Sequence, residues 1–272
     1  MSDLVLTSTT NNVTTATMNL PRRLNGWTLE MMDALAAAFA RAADDPDTAV
    51  LVLTGADPYY SAGVNLSSTF RLQHPQSLRQ LIVTHNQALF DRFIGFDKPI
   101  IAAVNGPAIG ATVTSATLCD AIVASEKATF STPFARLAVT PEGCSSVHLP
   151  KLIGRDDAER MLGPEGWVPT AAEALGIGLV NEVTPHDDLL ARAQALGESW
   201  AAEGRPRQFR AGSRRAELEE VNARESEALG DAFLTAPFLM GQARFLWSRK
   251  RYPQALTFFA LTATRPIWSM LL

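Results

Sequence analysis

Two cysteines in 272 residues leave no disulfide framework to build on. Cys119 and Cys144 both sit in apolar surroundings and read as buried free thiols, not as part of a zinc site. Histidine is scarce too. His74, His85, His148 and His186 are scattered, with no pair at ligand spacing, so no metal centre is expected. Basic charge is not in excess: Lys+Arg is 24 against Asp+Glu 28, giving a net charge of −4 and a pI of about 5.6. That balance argues against a nucleic-acid partner, which would call for a basic face. Long apolar runs are missing. The uninterrupted part of the apolar tail, Gln254 to Thr264, has 11 residues, against the ~20 needed to span a bilayer. The first ten residues have neither a basic start nor an apolar core, so no signal peptide is expected, and the expected compartment is the cytoplasm. No internal repeat or low-complexity linker is visible. Hydrophobic residues at 47% and charged residues at 19% are enough for a sizeable core. The length fits one large domain, or one domain with a helical appendage.

What is present centres on Lys98 to Ser146. Pro99 to Val104 reads as a buried strand, broken by the turn chemistry of Asn105-Gly106-Pro107. Gly110 follows, and Ala111 to Leu118 can form a helix. Its small and β-branched residues predict tight packing with little solvated face. A strand that turns through glycine into a helix start aims free backbone N–H groups at one point, a geometry suited to a developing negative charge. Ala121 to Ala124 reads as a second buried strand. Further on, Thr140-Pro141-Glu142-Gly143-Cys144 places one acid in an otherwise uncharged run. Such a carboxylate is either a turn residue or a positioned base.

Elsewhere, Leu4 to Leu20 fits a hairpin about Asn11-Asn12. Thr28 is a good N-cap for an amphipathic helix from Leu29 to Ala43. Ala49 to Thr54 is a buried strand, and Leu78 to Phe96 returns to helical periodicity. A helix broken at Gly154, a helix capped by Thr170, a short strand over Leu179 to Val183 and a helix over Asp187 to Glu203 follow. Arg205, Arg207, Arg210, Arg214 and Arg215 read as a solvated basic surface, with phosphate contact as the functional alternative. Two more helices, Ala216 to Phe233 and Phe238 to Arg251, precede an apolar tail, Tyr252 to Leu272, divided by Pro253, Arg265 and Pro266.

Four segments together resemble the enoyl-CoA hydratase/isomerase (crotonase) superfamily. They are Asn19-Leu20-Pro21-Arg22 with Leu24-Asn25-Gly26, Tyr60 to Leu66, Pro99 to Asp120, and Ala171 to Val180. Each is weak alone; four in order are specific, and they cover Leu4 to about Ala202. The resemblance implies an α/β fold, a crotonase-like spiral of ββα units over 1–202. A C-terminal helical region, 203–272, would serve trimer contacts, with 252–272 as an extension. It also implies an acyl-CoA thioester substrate whose carbonyl oxygen is held by the backbone N–H groups of Val64 and Ala111. Ala62, Gly63 and Gly110 flank that hole along the substrate. Arg22 lies in the loop where the family contacts the CoA phosphates, and Asn65 is a candidate polar contact.

The departures matter as much. Thr114 and Phe134 stand where hydratases of this family carry their two glutamates; neither can act as a base near neutral pH, and both are candidate substrate contacts. Glu142, in Pro141-Glu142-Gly143, matches the peroxisomal-type Δ3,Δ2-enoyl-CoA isomerases. The resemblance therefore implies an isomerase in which Glu142 moves a proton from C2 to C4, within an apolar lining expected from Phe134, Leu137 and Val139. No cofactor is expected, since coenzyme A arrives as part of the substrate. A homotrimer or dimer of trimers is expected. Two alternatives stand beside this: hydration or another crotonase-type reaction, thioester hydrolysis among them, and an acyl-CoA-binding protein without chemistry.

Overall fold

The computed structural model describes residues 3–64 and 73–272. The chain opens with a hairpin of β1 (Val5–Thr10) and β2 (Val13–Met18). Asn11 and Asn12 turn it with φ of 48° and 65°, the left-handed conformation a two-residue hairpin turn requires. Helix α1 (Leu29–Asp44) begins at Thr28, whose hydroxyl accepts the Met31 N–H. Strand β3 (Val50–Gly55), helix α2 (Pro75–Gly95), strands β4 (Ile100–Val104) and β5 (Ala108–Ile109), helix α3 (Ala111–Thr117), and strands β6 (Ala121–Ser125) and β7 (Phe130–Ser131) follow. Next come α4 (Phe134–Leu137), α5 (Ser145–Ile153), α6 (Arg155–Leu162), α7 (Ala171–Gly176), β8 (Glu182–Thr184) and α8 (Leu189–Ala202). Three further helices close the chain: α9 (Arg215–Ala232), α10 (Ala236–Ser248) and α11 (Tyr252–Trp268).

The main sheet has the order β1-β2-β3-β4-β6-β8, and every pair after the hairpin is parallel. Parallel strands are covered on both faces, and alternate residues of β3 divide between them. Val50 and Val52 meet Leu189, Ala193 and Trp200 of α8. Leu51 and Leu53 join the larger core with Met31, Leu35 and Phe39 of α1 and Phe90 and Phe93 of α2. A second line of pairing runs across successive turns of the chain. It consists of β5 with β7 and three isolated bridges, Trp27–Val64, Ser61–Ala108 and Thr129–Thr170. This stacking makes the fold an α/β spiral. All seven residues of α3 are buried, as their size predicts.

Three expectations need correction. The strand expected over Leu179 to Val183 starts only at Glu182, because the Leu179 and Val180 N–H groups both turn back to the Ala174 carbonyl to close α7. The arginine run is not a free basic surface. Arg207 is buried in an ion pair with Asp120 and donates to the carbonyls of Phe93 and Leu118. Arg210 donates to the carbonyls of Leu179 and Gly178. Finally, Pro266 does not divide the tail. Pro253 sits in the first turn of α11, where its missing N–H costs nothing. The helix runs through Pro266, its last turn held by the Trp268 ring N–H on the Leu261 carbonyl at 2.9 Å. Phe258, Leu261 and Trp268 pack on Ile82, Leu229, Phe233, Phe238 and Leu239 of the same chain. No helix of the described residues is long and apolar enough to cross a membrane.

Candidate active site

Two backbone segments meet first. The Ile109 N–H donates to the Ser61 carbonyl at 3.1 Å, and the Ser61–Ala108 bridge lays 61–64 beside 108–111. The contact is close enough that a methyl group at Gly63 would lie 2.4 Å from the Ile109 carbonyl oxygen. Gly63 has φ +80° as well, so only glycine fits without strain. Gly110, at φ 62°, turns the chain into α3 and ties its own N–H to the Ser131 carbonyl at 2.7 Å. Neither the Val64 nor the Ala111 N–H donates to a backbone acceptor among the described residues. For Ala111 this follows from its place at a helix start, where N–H groups have no intrahelical partner.

A third segment brings the carboxylate. Gly143 and Cys144 take φ of 66° and 65° between Glu142 and α5. The turn presses so closely on α2 and α3 that a methyl at Gly143 would lie 2.4 Å from the Phe90 ring and 2.6 Å from the Thr114 hydroxyl. Glu142 is thereby folded inward, 8% exposed. Asn86 of α2 donates through Nδ2 to its Oε2 at 2.5 Å. Ser226 of α9 in turn donates to Asn86 Oδ1 at 2.9 Å, which fixes the amide's orientation. Burial pushes the Glu142 carboxyl up to about 7, and the nearby Glu225 charge adds to the rise, while the Asn86 bond works against it. A carboxyl of that strength exchanges protons readily near neutral pH.

The carboxylate opens on a cavity of about 60 Å³, lined by Met32, Val64, Ile82, His85, Asn86, Leu89, Glu142, Leu229 and Phe233. Of the residues expected from the sequence, Val64 and Glu142 line this space, and Ala62, Gly63, Gly110 and Ala111 lie in the two paired segments. Thr114 is buried beside Gly143 with its hydroxyl on the Ala111 carbonyl at 3.2 Å. Phe134 is buried at the start of α4 and does not line the cavity, nor do Leu137 and Val139. The apolar wall comes instead from α1, α2 and α9. Arg22 is exposed in the short helical turn Pro21–Arg23 and makes no ion pair among the described residues. Asn65 lies outside the described residues.

Sequence reasoning missed Asn86, Ser226 and Glu225. Asn86 adjoins the apolar positions Ile82, His85 and Leu89 that marked α2 as a helix, but nothing local says that Glu142 will face it. His148 is structural: its ring nitrogens bond the Ser213 hydroxyl and the Thr117 carbonyl, both at 3.0 Å. His186 bridges Ser125 and Asp57 at 3.0 and 3.1 Å, which imitates a nucleophilic triad. Ser125 is fully buried, however, and its hydroxyl accepts the Lys127 N–H, so no nucleophile is presented. Among the described residues, no group of three or more His, Cys, Asp or Glu side chains is arranged to hold a metal ion.

A buried carboxyl of near-neutral strength that opens on a largely apolar cavity suits proton transfer. The comparisons with known proteins point the same way. Human enoyl-CoA delta isomerase 2 is 41% identical over 186 residues, 67% of this chain and 46% of the human protein. The peroxisomal enoyl-CoA delta isomerase 3 of Mus musculus is 36% identical over 184 residues, 66% of this chain and 57% of the mouse protein. The chain thus spans about half the length of these relatives. Among solved structures, an enoyl-CoA hydratase/isomerase from Pseudoalteromonas atlantica superposes with a TM-score of 0.75 at 27% identity, over 90% of this chain and 97% of that one. The family model for enoyl-CoA hydratase/isomerase matches residues 8–253, nearly the whole spiral with α9 and α10, and the chain belongs to that family.

Proposed function

We propose that the protein is an enoyl-CoA isomerase that shifts the double bond of a 3-enoyl-CoA to the 2-position. One observation carries this reading: Glu142 is the one carboxylate among the described residues that line the cavity, a cavity Val64 lines as well. In this mechanism Glu142 takes the proton from C2, which is acidified by the thioester carbonyl and by the adjoining double bond. The dienolate oxygen rests on the Val64 and Ala111 N–H groups, which stabilise charge as it develops. The carboxylic acid then returns the proton to C4. The two carbons are one allyl unit apart, so a single base serves both. Thr114 and Phe134 supply no second acid–base group, which disfavours paired-carboxylate hydration. Coenzyme A enters with the substrate, its phosphates within reach of Arg22, and the reaction as written uses no redox or metal chemistry. The proposed assembly is a homotrimer or a dimer of trimers.

Glu142→Gln tests the reading. The change is nearly isosteric, and formation of the conjugated thioester should fall by about 10²–10⁴, the usual contribution of a general base. Unchanged activity would remove Glu142 from the mechanism. The wild-type protein should also isomerise 3-enoyl-CoA far faster than it hydrates 2-enoyl-CoA. Comparable rates in a coupled assay would return the hydratase reading.

A further inference from the structure

A second carboxylate lies behind the base. Glu225 of α9 is 5% exposed. Its Oε1 accepts the Ser146 N–H at 2.8 Å and the Ser146 hydroxyl at 2.5 Å. Burial holds the Glu225 carboxyl above its usual value, while the Ser146 bonds and the Cys144 backbone N–H favour its ionised form. Its other oxygen, Oε2, is buried with no hydrogen-bond partner among the described residues. Ser146 stands in the first turn of α5, and the N-cap of that helix, Cys144, offers no side-chain cap. Glu225 therefore supplies from another helix the acceptor that the α5 terminus lacks, two residues past the Glu142–Gly143 turn.

We propose that Glu225 is a positioning residue for Glu142: it staples the loop that carries the base to α9 and presents a fixed negative charge behind it. The proposal rests on the isomerase reading for its use in catalysis, but not for its geometry. Capping alone does not explain the residue. A glutamine would offer the same acceptor to Ser146 without burying a charge, and an unpaired carboxylate oxygen in the interior is costly. What the charge adds is a field at Glu142. Glu225 receives both Ser146 donors with the Cys144 N–H beside them, whereas Glu142 has Asn86. These donors favour the charged form of Glu225, and that charge raises the proton affinity of Glu142. Among the described residues, the other titratable or charged groups around the pair are His85 of α2, on the same cavity as Glu142, Cys144 with Asp91 and the Lys151-paired Glu217 near it, and the exposed Arg224 next to Glu225 in α9.

The test needs no substrate. In protein labelled with ¹³C at glutamate carboxyls, the Glu142 resonance is the one lost in Glu142→Gln. In the wild type it should titrate near 7, with a second, smaller inflection where Glu225 titrates. In Glu225→Gln, which keeps an acceptor for Ser146, the midpoint should fall by about one unit, a tenfold change in proton affinity. Glu225→Asp keeps the charge and should hold the midpoint near the wild-type value. The acid limb of kcat/KM for isomerisation should move down with the midpoint in Glu225→Gln. A staple without a field would lower stability or rate and leave both midpoints in place. An unmoved midpoint in folded Glu225→Gln overturns the proposal. If that variant does not fold, a wild-type Glu142 titration without the second inflection overturns it as well. Failure of the isomerase reading would appear separately, as wild-type protein that titrates as described but forms no conjugated thioester.

Discussion

The strength of Glu142 is set by opposing effects at one carboxyl group. Burial and the Glu225 charge raise its proton affinity, and the Asn86 bond lowers it. Removing the donor should shift the balance in a known direction. Asn86→Ala takes away a hydrogen bond to the ionised form, so the acid limb of kcat/KM should move to higher pH, with the rate at high pH less affected. A pH–rate profile checks this; an acid limb moved downward would contradict it. The same carboxyl has a cost for the fold. Its folded value lies above the ordinary 4.5, at about 7. Stability that depends on the neutral form is therefore fully present below 4.5 and is lost as pH rises through 7. Glu142→Gln cannot ionise, so it should be more stable than the wild type by on the order of 1–3 kcal/mol at about pH 8. The difference should close at low pH. Urea unfolding at both ends of the range measures it.

Helices and strands were legible where their periodicity is unbroken. Thr28, Met31, Leu35 and Phe39 announce α1 by cap and spacing, and Pro99 to Val104 announces β4 as an unbroken apolar run buried on both faces. That Glu142 is buried on a cavity shared with Val64 was expected only through resemblance, since an acid between proline and glycine is locally a turn. The partners of Glu142 were not legible at all. Asn86 and Ser226 are unremarkable polar residues on separate amphipathic helices, and only the packing of α2 on α9 brings them together. The acidic character of Ala216 to Phe233 likewise concealed that one of its glutamates points inward. Arg207 failed for the same reason. Its run of neighbours reads as surface, yet its guanidinium ties the 205–210 segment to Asp120 and to the ends of α2 and α3. Arg207→Ala would leave Asp120 buried with only the Ile100 and Gln208 N–H groups. The loss should be about 3–5 kcal/mol, the usual effect of removing one partner of a buried pair, read as a lower urea midpoint.

At the scale of the molecule, α11 covers a cluster that also forms part of the cavity wall, since Ile82, Leu229 and Phe233 belong to both. Deleting residues 252–272 should uncover Phe238 and Leu239 and loosen that wall while the spiral remains folded. Size-exclusion chromatography with light scattering should then report aggregation or a smaller assembly; an unchanged soluble oligomer would assign α11 to its own subunit alone. The Ser61–Ala108 bridge has its own bearing on how the protein comes into being. It joins distant stretches of chain, with α2 between them, and parallel pairings of such wide sequence separation form slowly because loop closure precedes the contacts that reward it. The segments that carry Val64 and Ala111 lie side by side only once that closure is complete. A nascent or partly refolded chain therefore has helices and strands before it has a site. During refolding from urea, recovery of activity should lag the far-ultraviolet dichroism and coincide with the slowest spectroscopic phase, so that catalytic competence marks the last event of folding.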